Sequence, residues 1–521
     1  MIGVASSKKI RDVDSRSHFD EIVNDVVKGG FIGLGGQVSY KALSFILHIA
    51  LARILGPYSY GLYVLGLTIL TLLQRFSSLG LQNGVVRFGA IYLGRKDKAR
   101  LKAVLRSSYL ISLGSGIVFS MVLFSLSGFI ATGIFDKPDL ALVLKLFALC
   151  LPFYSLMMVS ANSFKVFRKM EYEVITHHVF HPISTLCMVG IIFLFGYRLL
   201  GAVFAFISSS LLSAILATYL LYKIFPAIIS KIRIEYDLKE LLTYSLTMLL
   251  LGFSYILLLT IDRIMIGFFG SSADVGIYNA ASITAVQASI FLGSFTPIFL
   301  PSIAELSNQN RFNELENLLK LVTRWVFIFT LPLSVIFVLF SKEIMGIFGH
   351  EFRMGWTVLV VLSLAQLINA STGPVGSILT LGGRQKMELL NSSCLGLCNI
   401  ILNIFLIPRY GILGAAIATA SSLTLVNVLR LFEVYSFFRM HPYRCSYLKP
   451  ILASLVAFGV WLLMDLFRQT HETIPVSGIF IFVITYLLTI TLLGFDEEDK
   501  LVLQSIKRTQ LFNLPVFRNF S

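Results

Sequence analysis

The stretch that decides the fold is ARILGPYSYGLYVLGLTIL, residues 52–70, in which a short Gly-Pro-Tyr-Ser turn separates two apolar runs. Similar apolar runs recur from near residue 30 to near residue 494, and about twenty such residues are enough to cross the hydrocarbon core of a bilayer. Of the 521 residues, 56% are hydrophobic and only 14% are charged, whereas soluble domains carry roughly 25% charged residues. The sequence therefore predicts an all-α integral membrane protein.

The positions of Lys and Arg predict the number of spans and their orientation. Cutting the chain at charged and turn-rich breaks gives about fourteen transmembrane helices. Of the 43 Lys and Arg residues, about 32 fall in the two tails and in alternate loops, and about seven fall in the loops between, as the positive-inside bias requires. We therefore expect a multi-pass protein of the cell (plasma or inner) membrane with both termini cytoplasmic. This bias also explains the net charge of +15 without a nucleic-acid partner.

Five segments follow from the longer polar breaks of the chain. Residues 1–29 are predicted to form a cytoplasmic amphipathic amino-terminal segment, because apolar side chains recur there at helical spacing. Residues 30–222 form a six-helix N-lobe and residues 241–436 a six-helix C-lobe. Two further helices occupy residues 447–494, and residues 495–521 form a cytoplasmic tail.

The two predicted lobes repeat each other weakly at a spacing of about 215 residues. Three pairs of segments match in the same order: GPYSYGLY (56–63) with GSSADVGIY (270–278), RKMEYE (168–173) with RQKMEL (384–389), and YRLLGAVFAFISSS (197–210) with YGILGAAIATASSL (410–423). A repeat of six spans returns the chain to the same side of the membrane, so the lobes are predicted to be parallel copies. We expect a central cavity between the two bundles that opens alternately to each side, as in a transporter.

The first span carries polar side chains on one helical face. Gln37, Lys41, Ser44 and His48 are spaced by four, three and four residues, and a polar stripe on an apolar helix is expected to face water or protein. An ionisable group at membrane depth is unfavourable by at least about 2.5 kcal/mol on insertion scales. We interpret Lys41 and His48 as substrate-binding cavity residues. The alternative is that Lys41 extends to the inner surface and His48 packs in the core.

The seventh span carries Asp262 and Arg263, which do not face each other because adjacent residues point to different sides of a helix. We interpret Arg263 as a substrate-binding or gating group. Asp262 is interpreted as a coupling or gating group, either as a proton carrier or as a supporting partner of Arg263. The alternative is a structural tie between helices near the outer surface. Arg53 precedes the first repeated turn and is expected to lie at the outer mouth. Arg430 and Glu433, three residues apart on the twelfth span, are predicted to neutralise each other.

The expected substrate follows from the sign of the charges within the spans. Cations outnumber carboxylates there, and a cationic cavity suits a phosphate or diphosphate better than a drug cation. No soluble catalytic domain and no G-x-x-x-x-G-K-[ST] motif occur in the sequence, so we expect no enzymatic activity and no cofactor, with transport driven by an ion gradient or membrane potential.

The histidines of residues 177–181 have a spacing that could hold a metal. Helix packing is the preferred interpretation, because no further ligand is placed beside them.

Three stretches resemble a known group of membrane proteins, the polysaccharide-biosynthesis flippases. They are ARILGPYSYGLYVLGLTIL (52–70), IDRIMIGFFGSSADVGIYNAA (261–281) and LNIFLIPRYGILGAAIATASS (402–422). The group includes the O-antigen and oligosaccharide-lipid translocases of the multidrug/oligosaccharidyl-lipid/polysaccharide exporter superfamily. The resemblance runs through both predicted lobes and weakens in the last two spans.

The resemblance implies two six-helix lobes that move a polyprenyl-(di)phosphate-linked oligosaccharide from the inner to the outer leaflet by alternating access. It implies membrane lipid and glycosyltransferases or a polymerase of the same pathway as partners. The basic cavity residues of the family correspond to Lys41, Arg53 and Arg263, and the family's Ile-Asp-Arg element corresponds to residues 261–263.

Two other functions remain open at the level of sequence. A cation-coupled multidrug exporter of the same superfamily would depend on Asp262 and would export dyes. Its usual acidic coupling site in the first span is replaced here by Lys41 and His48, which disfavours this function. A non-transporting scaffold of a glycan-assembly complex would instead tolerate neutralisation of every charge in the cavity.

Overall fold

The computed structural model describes the backbone of residues 3–226, 238–466 and 475–494, and the side chains of residues 35–226, 238–249, 260–464 and 477–494. Within these ranges every regular element is a helix. Ten helical segments of the described part are long and apolar enough to cross a membrane. The predicted all-α membrane fold is therefore confirmed, and the count of fourteen spans stays a prediction.

The helices are numbered in chain order through the described ranges. The first seven are α1 (Gly3–Ser77), α2 (Leu81–Gly94), α3 (Lys98–Gly128), α4 (Pro138–Val166), α5 (Met170–Glu173), α6 (His181–Leu194) and α7 (Leu199–Ile224). The next ten are α8 (Leu238–Phe269), α9 (Ser272–Gln287), α10 (Ile290–Asn308), α11 (Phe312–Leu339), α12 (Ser341–Gly346), α13 (Trp356–Thr372), α14 (Val375–Leu381), α15 (Gln385–Phe438), α16 (Leu448–Leu466) and α17 (Pro475–Leu492). Short π-helical segments follow α3 and α5, and 3-10 turns precede α13 and α16.

Glycines set the bends of the two longest helices. α1 bends at Gly56, where φ is +69°, and α15 bends at Gly411, where φ is +56°. Side chains other than that of glycine rarely adopt such angles, so each bend is fixed by its glycine. The bend at Gly56 falls in the Gly-Pro-Tyr-Ser turn that separates two apolar runs of the sequence. Gly373, with φ +68°, likewise separates α13 from α14.

The first of two compact units comprises Met1–Thr284, Met345–Val358 and Ser392–Ser422. Within it α4 packs against α3, α7 and α1, and α8 packs against α1 and α2. Small polar side chains allow these helices to approach closely. The hydroxyls of Ser77 in α1 and Ser155 in α4, for example, are 2.8 Å apart.

Two copies of the repeated turn pack against each other inside this unit. A Cβ added to Gly61 in α1 would lie 1.7 Å from the carbonyl oxygen of Ser272, and one added to Gly276 in α9 would lie 2.4 Å from that of Pro57. No side chain fits at either position, so the backbones cross at a distance that only glycine permits. This crossing gives the glycines of GPYSYGLY and GSSADVGIY a common structural purpose.

The second unit comprises Ala285–Ile344, Leu359–Asn391 and Leu423–Ser521. Its carboxyl-terminal helices α16 and α17 pack together and against α11. The Tyr486 hydroxyl donates to the carbonyl oxygen of Ile328 over 2.7 Å.

Arg430 and Glu433 bind different partners in this unit, so their predicted mutual neutralisation is wrong. The Arg430 guanidinium forms an ion pair with Glu388, with Nε 3.0 Å from Oε2. The Glu433 carboxylate accepts from the side-chain amide of Asn391 over 2.6 Å. Both partners, Glu388 and Asn391, lie on the first arm of the bent helix α15. Arg430 and Glu433 therefore bind side chains of that arm and not each other.

The predicted segment bounds stay predictions. The compact units are defined by contacts within the fold and not by sequence similarity. The lobes at residues 30–222 and 241–436 therefore stay predictions. The amino-terminal segment is helical from residue 3 as part of α1, but its side chains lie outside the described residues. The tail at residues 495–521 lies outside them altogether.

Candidate functional site

All five candidate residues lie in the first compact unit. Asp262 and Arg263 come from α8, and Lys41, His48 and Arg53 come from the first arm of α1, before its bend at Gly56. The two helices pack against each other.

Asp262 is held by hydrogen bonds from three directions. Its carboxylate accepts from the Tyr278 hydroxyl over 2.7 Å, from the Asn403 side-chain amide over 2.8 Å and from the Thr419 hydroxyl over 2.6 Å. The donors come from α9 and from both arms of the bent helix α15. Three donors match the oxygens of an ionised carboxylate, so Asp262 joins three helical segments as a shared acceptor.

The asparagines around Asp262 extend this network along α15. Asn403 also donates to Asn399 over 2.9 Å, and Asn399 donates to Thr419 over 3.1 Å. The two asparagines are one helical turn apart and both are buried. Buried amides in an apolar helix need such partners.

His48 belongs to a second hydrogen-bond chain. Its Nδ1 lies 2.9 Å from the hydroxyl of buried Tyr60, and the Asn279 amide donates to that hydroxyl over 2.7 Å. Because the Tyr60 oxygen accepts a hydrogen bond from Asn279, the Tyr60 O–H is free to donate a hydrogen bond to Nδ1 of His48. This arrangement favours a neutral imidazole with its proton on Nε2.

Arg263 differs from its neighbour because its guanidinium has no hydrogen-bond partner in the described part of the chain. It is half-buried. It lies close enough to Tyr278, Tyr60, Asp262 and His48 to interact with them electrostatically. A half-buried arginine with five unused donors is suited to binding an anion.

Arg53 and Lys41 lie on either side of His48 along α1. Arg53 follows His48 by five residues, which is about 7.5 Å of helix, and its Nε donates to the carbonyl oxygen of Ile347 over 2.6 Å. Lys41 precedes His48 by seven residues, about 10.5 Å. It is half-buried, and among the described residues its amine has no partner. The structure thus joins His48, Asp262 and Arg263 in one region and places Arg53 and Lys41 at separate levels.

The histidines at residues 177–181 are packed against other side chains. The rings of His177 and His178 lie 5.4 and 5.5 Å from that of Tyr40 in α1. His181 Nε2 is 3.1 Å from the hydroxyl of Ser210 in α7. These contacts fit the packing interpretation.

A family profile described as "Polysaccharide biosynthesis protein" matches residues 26–307, more than half of the chain. The chain belongs to this family. The match covers α1 to α9 and most of α10, and so includes all five candidate residues and the repeated turns.

Several similar proteins carry names from surface-glycan assembly. A candidate low-salt glycan biosynthesis flippase of Haloferax volcanii is 28% identical over 177 residues, which are 34% of this chain and 38% of that protein. The capsular polysaccharide biosynthesis protein CapF of Staphylococcus aureus is 28% identical over 34% of this chain and 44% of its own length. The matched region therefore spans less than half of these relatives. A candidate O-antigen transporter of Shigella flexneri is 23% identical over 71% of this chain and 88% of that protein.

Two solved structures share the fold of this chain. The lipid II flippase MurJ in an inward closed conformation matches with a TM-score of 0.72 at 16% identity, over 89% of this chain and 98% of that one. A multidrug resistance MATE family transporter in an inward-facing conformation matches with a TM-score of 0.63 at 14% identity, over 77% and 94%. At these identities the likeness establishes that the chain shares the fold of these two membrane proteins.

Sequence reasoning missed the polar partners of the charged residues. Tyr60, Tyr278 and Asn279 lie in or beside the repeated turns, so the repeat was a signal that could have pointed to them. Asn399 and Asn403 lie four residues apart in an apolar span, so they are polar side chains on one helical face, as in the stripe on α1. That spacing could have identified them as site residues.

Proposed function

We propose that this protein is a flippase that moves a polyprenyl-(di)phosphate-linked oligosaccharide from the inner to the outer leaflet of the cytoplasmic membrane by alternating access. A hydrophilic glycan does not cross hydrocarbon unaided, whereas the lipid tail can remain in the bilayer during transfer. The names of the glycan-assembly relatives support this substrate class. The product would serve surface polysaccharide or glycan biosynthesis.

The observation that carries this proposal is the contrast between Asp262 and Arg263. A cation at membrane depth is usually paired within the protein, and the adjacent carboxylate would be the simplest partner. Asp262 is instead engaged by three uncharged donors, which leaves the Arg263 guanidinium available. A phosphate or diphosphate would accept its N–H groups in the bidentate geometry that arginine favours.

His48, Arg53 and Lys41 extend this anion-binding surface along α1. Lys41 would meet the phosphate nearer the inner side, and Arg53 would meet it near the outer mouth. Successive weak sites at different depths allow a charged group to move without being trapped at one of them. The central cavity expected between the two predicted lobes would supply the water-filled path.

Asp262 would couple transport to an ion gradient or to the membrane potential. Protonation of its carboxylate, or binding of a cation there, would change the hydrogen bonds that join α8, α9 and both arms of α15. Such a change would favour one arrangement of these helices over another. The site thereby offers a physical link between ion binding and helix movement.

The orientation and partners complete the proposal. The positive-inside bias supports cytoplasmic termini and a location in the cell membrane. Glycosyltransferases or a polymerase of the same pathway would deliver or use the substrate. The protein would need neither a nucleic acid nor a bound cofactor.

Reconstitution into vesicles tests this function. Purified protein is incorporated into liposomes that carry a fluorescent polyprenyl-diphosphate-linked oligosaccharide, and a membrane-impermeant quencher reports how much label each leaflet exposes. Protein-dependent transfer is expected, with none in protein-free liposomes. Absence of transfer, together with efflux of cationic dyes by cells that express the protein, would instead favour the multidrug exporter.

A further inference from the structure

A groove unrelated to the five candidate residues lies between α2 and the first turns of α8, within the first compact unit. Its volume is about 510 Å³. The lining residues are Arg87 and Phe88 from α2, and Lys239, Glu240, Thr243, Tyr244 and Thr247 from α8. Both elements adjoin loops that the positive-inside bias assigns to the cytoplasm, so the groove lies at the inner end of the protein.

Arg87 is oriented in this groove by aromatic rings. Its guanidinium carbon lies 4.4 Å from the ring centroid of Tyr244 and 5.7 Å from that of Phe88. Stacking fixes the plane of the guanidinium but occupies none of its N–H donors. Within the described ranges no carboxylate pairs with Arg87 or with Lys239. Two cations with unused donors therefore line one groove.

A polar stripe on α8 begins in the same groove. Lys239, Thr243 and Thr247 are spaced by four residues, so they lie on one face of the helix, and all three are exposed. The two threonine hydroxyls donate to backbone carbonyls one turn earlier over 2.7 and 3.0 Å. Their oxygens remain available as acceptors for the hydroxyl groups of a sugar.

The distance along α8 separates this groove from the candidate site. Arg263 follows Lys239 by 24 residues, which is about 36 Å of helix. A headgroup in the inner leaflet cannot reach Arg263 first, because its lipid tail holds it near the inner interface. Transport from the inner leaflet therefore requires a first contact near the inner side of the protein, where this groove lies.

We propose that this groove is the loading site at which the phosphate of an inner-leaflet polyprenyl-linked glycan first binds. Arg87 and Lys239 hold the phosphate, Phe88 and Tyr244 contact the adjoining apolar chain, and the stripe on α8 faces the sugar. The exposed carboxylate of Glu240 also lines the groove. It limits the net charge, so the phosphate is held loosely enough to move on. This assignment rests on the proposed flippase function.

Binding by the full-length protein in phosphatidylcholine nanodiscs tests the assignment. The probes are polyprenyl phosphate, unphosphorylated polyprenol and phosphatidylglycerol. The double variant Arg87→Gln/Lys239→Gln is expected to bind polyprenyl phosphate at least tenfold more weakly than the unaltered protein. Polyprenol should bind weakly to both proteins, and phosphatidylglycerol should compete poorly.

A matched control separates the groove from general surface charge. Arg95→Gln/Lys98→Gln removes two exposed cations that do not line the groove, and it should bind polyprenyl phosphate as the unaltered protein does. If the double groove variant fails to fold, Lys239→Gln alone changes an exposed side chain without a partner in the described chain. That single variant should weaken binding about threefold.

Three results would overturn the loading site. They are unchanged affinity in the groove variants, equal loss in the control variant, and equal competition by phosphatidylglycerol, which would identify a general site for anionic lipid. The flipping assay separates this outcome from failure of the proposed function. If the protein flips the glycan and groove variants show the same dependence of rate on substrate concentration, only the loading site fails. If groove-dependent binding occurs without flipping, the groove stands and the flippase function fails.

Discussion

Arg263 and Asp262 are adjacent on α8 but differ completely in their hydrogen bonding. The carboxylate accepts from three side chains, whereas the guanidinium has no hydrogen-bond partner among the described residues. A direct hydrogen-bonded pair would leave neither group available to a ligand. Under the proposed function, this separation gives them different tasks, anion binding for Arg263 and coupling for Asp262.

Replacing Asp262 by Asn should uncouple transport from its energy source. The amide keeps the size of the side chain but loses the charge that an ion would neutralise. Vesicles with an imposed proton gradient, sodium gradient or potassium diffusion potential are compared in the flipping assay. One of these should accelerate the unaltered protein, and the variant should flip slowly with no acceleration. A full response of Asp262→Asn to that gradient would exclude the coupling role.

Replacing Tyr60 by Phe should destabilise the protein without removing any charge. The hydroxyl accepts from Asn279 and contacts His48, and its loss leaves a buried amide N–H unpaired, which costs about 1–3 kcal/mol. Thermal unfolding in detergent should show a lower midpoint. Tyr219→Phe, which alters an exposed tyrosine of α7, serves as the control and should leave the midpoint unchanged. Equal midpoints for both variants would show that the Tyr60 hydrogen bonds add no stability.

Sequence alone could identify the charged residues of the site but not their partners. Lys41, Asp262 and Arg263 stand out because charge is rare in apolar runs. Asn279 lies 219 residues from Tyr60, and Asn403 lies 141 residues from Asp262. No periodicity within one helix encodes such contacts, which arise only when the helices pack.

At the scale of the helices, glycines and one lysine fix how elements end and cross. The Lys137 amine, between α3 and α4, donates to the carbonyl oxygens of Gly267 and Gly270 over 2.6 and 2.9 Å, at the end of α8. A cation at a helix carboxyl terminus is favoured by the exposed carbonyls and the helix dipole. Burial lowers the pKa of Lys137 below its usual value, and the nearby carboxylates of Asp136 and Asp274 offset part of this effect.

Replacing Gly61 by Ala should disrupt the crossing of α1 with α9. The added Cβ would lie 1.7 Å from the Ser272 carbonyl oxygen, so the helices must separate, at a cost of about 3 kcal/mol or more. Gly114→Ala in α3 adds the same methyl group where nothing lies within 4 Å. It should be neutral or slightly stabilising, because alanine favours helix. Unfolding midpoints that fall equally in both variants would contradict the crossing.

Bends and breaks were partly predictable from residue type. The Gly-Pro-Tyr-Ser turn predicted a break at Gly56, because glycine beside proline interrupts an apolar run. The interruption after Gln287, between α9 and α10, has no comparable glycine-proline turn in the sequence. Proline was a weaker guide, since Pro152 and Pro332 lie inside α4 and α11 without ending them.

At the scale of the whole molecule, we propose that the cations form a series of binding levels. The groove at Arg87 and Lys239 would be nearest the inner side and Lys41 would follow along α1. His48 and Arg263 would share the next level, and Arg53 would be nearest the outer mouth. Composition predicted the membrane fold that the structure confirms, because it is summed over many residues, and the orientation derived from the positive-inside bias stays a prediction. The division into compact units depends on long-range packing and was not predictable from the repeat.

Flipping of a polyprenyl-diphosphate-linked oligosaccharide by Arg263→Ala in proteoliposomes tests the anion-binding role of this site most directly. The control is Lys145→Ala, which removes an exposed intramembrane cation that contacts the Phe124 ring in the same unit. With equal amounts of folded protein, Arg263→Ala should flip at least about a hundredfold more slowly than the unaltered protein, since the loss of a charge-assisted bidentate contact is worth about 3 kcal/mol. Lys145→Ala should flip normally. Normal flipping by Arg263→Ala, or an equal loss in both variants, would contradict the role of Arg263 in carrying the phosphate.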